Sequence, residues 1–597
     1  MMWKFLTNKQ SPPKESSELL NLTDQQQKVI DSKAALLRVI ARAGTGKTST
    51  MIAKAKAIAA QDLSHRILML SFTKSAAEEL NERFHKEEAD HGSLQFQAST
   101  FHSYAFHCLK NYPGKVLKLE EGLLLETNRF DLLNEFQRED FLDYFGKTQC
   151  PDEGFPADWR DTLSKNINAY DAESCSLAQI MKDYQIYNEL WPKLLPFYLK
   201  HGYLDFDLIM LIFNRALELD QGFLKHAQAN FTHLIIDEFQ DTNAVQLASL
   251  RKLSGWKSNC KEKPFKQVVV VGDDFQTLYS WRGASRYIFS DFKSWADDQR
   301  EDCQTLPLTV NFRSGKAILD FLNPHYKDLQ SSSAMAAICP ETISCARIDI
   351  EASVKRLPSY QEAVASLGKL GYKNEEITIL AFKNSTLRGV KKYYRDKATV
   401  NSLDLKQFPG LQNFIAALSL SFTRNFDHLP SAWHLRACDD AEFSKLFDKL
   451  QQNNPEKKLH SEIFKSYAKI IVKQQKLYSK NPPSYKELSS FLKALARQDE
   501  AIKKNLGLCK KLSYVLAKSP SFKSSPQVSL AEISGKDFSD NGLEEGKIRL
   551  STIHKFKGLQ SRAIILIQDF QIDSIEKKRL LYVALTRPEQ ALYIVRK

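Results

Sequence analysis

Ala41-Arg42-Ala43-Gly44-Thr45-Gly46-Lys47-Thr48 is the stretch on which the fold turns. It follows an apolar run, Leu36 to Ile40, and precedes a helical pattern, Lys47 to Ala60. Strand, glycine-rich loop and helix in that order form a phosphate-binding loop. Its glycines let backbone N–H groups approach a polyanion, Lys47 neutralises charge, and Thr48 can ligate magnesium. Far along the chain a second apolar strand, Leu234-Ile235-Ile236, delivers two adjacent carboxylates, Asp237 and Glu238. A strand end is where a metal-anchoring acid and a water-activating base are needed. The two stretches together imply nucleotide hydrolysis.

Working outward, a strand from Arg66 to Phe72 and a helix from Ser75 to Phe84 continue the βα alternation. That alternation predicts an α/β fold with mainly parallel sheets and ligands at the strands' C-terminal ends. Strand signals return at Thr232–Ile236 and Gln267–Val271, then at Ile377–Phe382, Ile548–Thr552, Ala563–Ile567 and Ala591–Val595. Two cores are expected, each interrupted by a mainly helical insertion. The expected divisions are a loose leader over 1–20, a first core over 21–103 and 196–305 with its insertion at 104–195, and a second core over 306–385 and 545–597 with its insertion at 386–544.

At 597 residues, with 43% hydrophobic side chains, the chain is long enough for several folded domains. A net charge of +13 suits a polyanionic partner. Nine scattered cysteines with no CxxC pair argue against zinc ribbons and cysteine-ligated iron–sulfur clusters. The odd count and the lack of a secretory signal point to a reducing cytoplasm. No apolar stretch reaches the length of a membrane span.

A set of further motifs appears in order: Thr100-Phe101-His102, Asp237-Glu238-Phe239-Gln240-Asp241, Gly272-Asp273-Asp274-Phe275-Gln276, Tyr279-Ser280-Trp281-Arg282-Gly283, Asn311-Phe312-Arg313-Ser314 and Tyr582-Val583-Ala584-Leu585-Thr586-Arg587. By these residues the chain resembles the UvrD/Rep family of superfamily 1A DNA helicases from Leu22 to its last residues. The resemblance implies two RecA-like P-loop NTPase motor domains with ATP and Mg²⁺ between them. It also implies single-stranded DNA, or DNA with a 3′ single-stranded tail, crossing both, with 3′ to 5′ movement and unwinding. DNA repair, replication restart or recombination would be the setting.

The resemblance assigns residues as well. Gln26 would read adenine and Phe312 would stack on it, where a tyrosine is common. Ala43, Gly44, Thr45 and Gly46 would cradle the phosphates, and Lys47 would bridge the β- and γ-phosphates. Thr48 and Asp237 would hold Mg²⁺, and Glu238 would orient the attacking water. Gln276 would sense the γ-phosphate, and Arg313 and Arg587 would reach it across the cleft. Gln560 stands where the family usually has a glutamate near the ribose. Arg42 replaces a small residue usual there, and its side chain can point outward, which keeps the loop compatible with activity. Phe72, Thr73, Lys74, Phe101, His102, Tyr279, Trp281, Arg282, His554 and Lys557 would contact DNA, by stacking or through phosphates.

Two other functions stay open on the sequence: a non-unwinding translocase serving a nuclease or other partner in mobile-element or anti-phage systems, and a regulatory DNA-binding ATPase. No nuclease domain or C-terminal tail is expected, because the sequence stops ten residues after Arg587. The helical insertions offer surface for a protein partner.

Overall fold

The computed structural model describes residues 22–85, 95–133, 191–255, 264–278, 303–330, 342–400, 408–422, 483–519 and 546–596, apart from a few positions within these spans, together with isolated positions between them. The expected leader lies outside the described residues.

In chain order the first half holds β1 (Leu36–Ala41), β2 (Ile67–Ser71), β3 (Phe96–Thr100), a hairpin of β4 (Val116–Glu120) and β5 (Leu123–Glu126), the short pair β6 (Asp131–Leu132) and β7 (Tyr203–Leu204), then β8 (His233–Ile236), β9 (Gln267–Gly272) and β10 (Cys303–Leu308). Six of these form one parallel sheet in the order β10-β1-β9-β8-β2-β3. The run of valines in β9 is buried throughout. Val268 and Val270 join the cluster on one face, Val269 and Val271 that on the other. Burial on both faces explains why this parallel strand reads as continuously apolar. Each such side chain contributes about 1.5–3 kcal/mol by leaving water.

The strand order positions the chemistry. β9 lies between β1 and β8, so three strand ends stand side by side. The phosphate loop leaves the first, Asp273 follows the second, and Asp237 and Glu238 follow the third.

The second sheet is also parallel, in the order β13-β18-β17-β14-β16-β15. After a short pair, β11 (Val310–Asn311) and β12 (Ser344–Cys345), its strands are β13 (Ser353–Leu357), β14 (Ile377–Ala381), β15 (Ala398–Val400), β16 (Ile548–Thr552), β17 (Ser561–Gln568) and β18 (Pro588–Arg596). One face packs on the helices Lys316–Gln330 and Ile575–Leu585, and that apolar cluster also takes in Ala43, Phe275 and Leu278 from the first core. The two cores are therefore in contact beside the phosphate loop.

Two expected boundaries and the helical reading of the first insertion need correction. The second core does not begin at Leu306, because β10 pairs with β1 along its whole length, from Leu36↔Cys303 to Ala41↔Leu308. The described part of the first insertion includes the β4–β5 hairpin and is not wholly helical. At the other insertion, the helix Asn384–Tyr394 and β15 still belong to the second sheet's layer, so the excursion starts after Val400. Most of 134–190 and of 423–482 lies outside the described residues.

Four described helices of the second insertion, Pro409–Phe422, Tyr485–Ala496, Glu500–Lys504 and Leu506–Lys518, pack together. Gly410 is required there, since an added Cβ would lie 1.9 Å from the Ala501 carbonyl oxygen. Just beyond them, the Ser519 hydroxyl donates to Glu78 at 2.7 Å, on the helix Lys74–His85 of the first core.

Candidate nucleotide site and nucleic-acid face

The phosphate loop needs glycine at two points. Gly44 and Gly46 both have φ near +73°, a region that L side chains rarely adopt. A Cβ on Gly44 would lie 2.5 Å from Asn311 Nδ2 and 2.9 Å from Arg313 Cβ. The loop is thus pressed against the end of β11 and the bend after it that carries Arg313. Asn311 completes that contact by donating from Nδ2 to the Ala43 carbonyl at 2.7 Å, and the Phe312 amide donates to Gly44 at 2.8 Å.

Lys47 opens the helix Lys47–Gln61, and its ammonium meets the Glu238 carboxylate and lies 3.4 Å from Asp237 Oδ1. Burial opposes the lysine's charge, but the two carboxylates outweigh it and hold the pKa above the usual lysine range. Burial likewise works against the Glu238 charge, and Lys47 and Lys557 overcome it, leaving the acid depressed to about 2. Asp237 is raised, because burial and the neighbouring Glu238 outweigh Lys47. Glu238 has φ +51° and ψ +39°, a left-handed conformation costly for a residue with a Cβ. Such strain places the carboxylate toward the loop.

Thr48 and Asp237 supply hard oxygen donors next to a glycine cradle, a set suited to Mg²⁺. Among the described residues no group of three His, Cys, Asp or Glu side chains could hold a metal by itself.

Gln26 does two jobs. Its Oε1 accepts from the Thr23 amide at 3.0 Å, closing the capping box of the helix Asp24–Asp31, while Nε2 donates to the Thr45 carbonyl at 3.3 Å. The Phe312 ring lies 3.9 Å from where a Gly46 Cβ would stand. An amide and an aromatic face therefore flank the same loop.

The opposite wall carries two guanidinium groups. Arg313 donates from Nε to Gln560 Oε1 at 2.8 Å and from Nη1 to the Thr586 carbonyl at 2.9 Å. Arg587 is buried and donates from Nη2 to Gln276 Oε1 and from Nε to the Val583 carbonyl, each at 2.9 Å. Burial and the nearby Arg313 charge pull the Arg587 pKa down to about 9, so it stays cationic at neutral pH. Burial lowers the Arg313 pKa as well, against the opposing pull of Glu589 and, more weakly, Tyr582 and Glu238.

Gln276 links the walls: its Nε2 donates to Asp273 Oδ2 at 2.8 Å, and the same oxygen accepts from the Tyr582 hydroxyl at 3.1 Å. Gln240 adds a branch, donating to Glu238 Oε2 at 2.5 Å and accepting from the Asp273 amide at 3.0 Å. Gln240, Asp273, Asn311 and Tyr582 lie inside the quoted motifs but received no role from sequence, because their partners are distant in the chain.

Three sequence readings are corrected. Arg42 points inward: it is fully buried against Asp273 and Asp274. Two adjacent buried carboxylates supply the reason, since they require a cation. Lys557 does not present its charge to a polynucleotide in this state. Its ammonium contacts the buried Asp241 at 2.6 Å and the Gln276 carbonyl at 2.7 Å, pinning the second core to the first. Phe101 is packed in the first core's apolar cluster, 7% exposed, and offers no stacking face.

The other nucleic-acid candidates sit at strand ends. Phe72, Thr73 and Lys74 follow β2 and remain at least partly accessible, and His102 meets Phe206 edge-on at 5.2 Å. His554 lies beside Phe382 at 5.7 Å, and Lys577 stands 3.4 Å over that ring. Lys577 was missed, its signal being a lysine at the start of a helix whose aromatic neighbours come from elsewhere. Tyr279, Trp281 and Arg282 lie outside the described residues.

Comparison with known proteins matches this layout. Residues 22–297 fit the family model of the UvrD/REP helicase N-terminal domain, and residues 547–595 that of the UvrD-like helicase C-terminal domain. The chain belongs to the UvrD/Rep helicase family. A UvrD/Rep relative in Mycoplasma capricolum, named "Probable DNA helicase II homolog", is 24% identical over 96% of this chain and 84% of its own. DNA helicase II of Haemophilus influenzae is 29% identical over 51% of this chain and 40% of its own. ATP-dependent DNA helicase PcrA of Staphylococcus aureus is 26% identical over 52% of this chain and 40% of its own.

Proposed function

We propose that this protein is an ATP-driven motor that moves 3′ to 5′ on single-stranded DNA and separates the strands of a duplex. The observation that carries this reading is the convergence of Lys47, Asp237 and Glu238 from one core with Arg313 and Arg587 from the other wall, joined through Gln276. The residues fit an ATP-binding role: the loop would cradle the phosphates, Gln26 and Phe312 would hold the base, and Thr48 with Asp237 would anchor Mg²⁺. The bound ion would neutralise charge developing on the transferred phosphoryl group. Glu238 orients the attacking water, and the two arginines stabilise the departing charge.

Phe72, Thr73, Lys74, His102 and His554 would form the described part of the DNA track; Tyr279, Trp281 and Arg282, which the resemblance also assigns to DNA, lie outside the described residues. On this reading cleft closure alternates the grip of the two cores, which correspond to two RecA-like units with helical insertions. Relatives named as DNA helicases support the choice of DNA. Among the described residues no helix is long and apolar enough to cross a membrane. A cytoplasmic setting and a role in DNA repair or restart belong to this proposal and rest on the resemblance to DNA helicases of the family.

The test is ATP hydrolysis with and without single-stranded DNA in the wild type, Lys47→Ala and Glu238→Gln, followed by release of a labelled strand from a 3′-tailed duplex. DNA should stimulate the wild type strongly and neither variant. Stimulation by RNA alone would overturn the substrate, and hydrolysis without strand release would overturn unwinding.

A further inference from the structure

We infer that Arg42, inside the phosphate loop, is a positioning residue that sets which end of the Gln276 amide faces Arg587, acting through Asp273. The inference deepens the motor reading proposed above and rests on it.

Arg42 occupies a position where the loop needs only a small residue, and it turns its side chain away from the phosphate cradle. Nη1 donates to Asp273 Oδ1 at 2.8 Å and to Asp274 Oδ1 at 2.5 Å, and Nε donates to the Tyr326 hydroxyl at 3.3 Å. The guanidinium carbon sits 4.0 Å from the Phe275 ring centroid. One cation thus contacts two adjacent carboxylates and two aromatic rings, all buried.

Without it the neighbouring carboxylates would repel each other and one would swing away. With Arg42 in contact, Asp273 is held in place, and a carboxylate only accepts hydrogen bonds. Its Oδ2 receives the Gln276 amide at 2.8 Å and the Tyr582 hydroxyl at 3.1 Å. Gln276 must therefore turn its NH₂ toward Asp273, which leaves Oε1 facing Arg587 at 2.9 Å. A displaced Asp273 would no longer hold the NH₂ end, and the amide could sit either way round. The reversed amide would aim N–H groups at a guanidinium that has nothing to accept them with. The polarity of Gln276, and with it the seat of Arg587, is set by a charge in the loop that cradles the triphosphate.

The second arm of Asp273 extends the effect. Its backbone amide donates to Gln240, which donates in turn to Glu238. Asp273 is then a hub between the water-orienting acid and the arginine across the cleft.

The experiment is a double-mutant cycle on the full chain, using steady-state ATP hydrolysis with oligothymidylate and binding of a fluorescent ADP analogue. Arg42→Ala should lower kcat about 30-fold or more while ADP-analogue affinity and KM change less than about threefold. Combined with Gln276→Ala it should fall no more than about twofold below the worse single variant, because both act on one contact. Arg42→Lys, which keeps the charge, should recover most of the loss. Asp273→Asn keeps the shape but frees the amide to reverse, so it should reproduce the kcat loss even if Arg42→Ala fails to fold. Multiplicative losses in the double variant, or unchanged kcat in Asp273→Asn, would overturn the inference. The wild-type response to DNA tests the motor reading separately, since the cycle is scored from variant ratios at whatever rate the wild type shows.

Discussion

The two walls of the cleft solve the burial of charge in opposite ways. On the phosphate-loop wall every charge has a counter-charge in contact: Lys47 with Asp237 and Glu238, Arg42 with Asp273 and Asp274. On the other wall Arg313 and Arg587 are held by carbonyl and amide oxygens, which orient a guanidinium without neutralising it. A self-neutralised wall is stable as it stands. Burial and the repulsion between the two neighbouring cations lower the Arg587 pKa, and the acids nearby offset only part of that. The lesson is that the second wall is set for a polyanion, while the first must exchange an internal ion pair for one.

The strongest way to break the contrast is to remove the acid. Glu238→Gln should lower ATP turnover on the order of a thousandfold, measured by phosphate release, with nucleotide still bound. Next comes Arg587→Ala, for which a fall in kcat on the order of a hundredfold is expected with a smaller change in KM, since its charge matters most as phosphate departs. An equal loss in binding would show that the cation serves the ground state.

Lys557→Ala leaves Asp241 buried without its cation and should cost about 3 kcal/mol in a denaturant titration. The double variant Lys557→Met with Asp241→Leu should recover much of that. The acids also give pH slopes of opposite sign. Burial raises Asp241 to about 6, so the folded state binds the extra proton, and its contribution shrinks as pH rises from about 4 to 6. Glu238 is depressed to about 2, so its contribution is complete above pH 4.5 and is lost as pH falls toward 2. Stability curves of Asp241→Asn and Glu238→Gln should each lose one of these slopes. The smallest effect is Gln560→Glu, which would give Arg313 a counter-charge. It should raise the KM for ATP about threefold, read by steady-state kinetics.

Local patterns carried much of the architecture. The valines of β9 and the acids after β8 declare buried parallel strands and their ends, and the two glycines of the loop declare its conformation. The sheet membership of Leu306 was not legible, because Leu306-Pro307-Leu308 says nothing about which neighbour it pairs with. Direction was equally hidden at Arg42, Phe101 and Lys557. A lysine beside His554 reads as a phosphate ligand until Asp241, 316 positions away, is brought against it. Tertiary contact decides where a long side chain points, and no window of sequence contains that contact.

Because β10 completes the first sheet and the next few residues already lie on the phosphate loop, the covalent crossing between cores coincides with the nucleotide pocket. On the motor reading proposed above, a joint placed there would act as a fulcrum, turning small displacements beside the pocket into larger sweeps at the far rim of each core, and stiffening it would change step length before it changed chemistry.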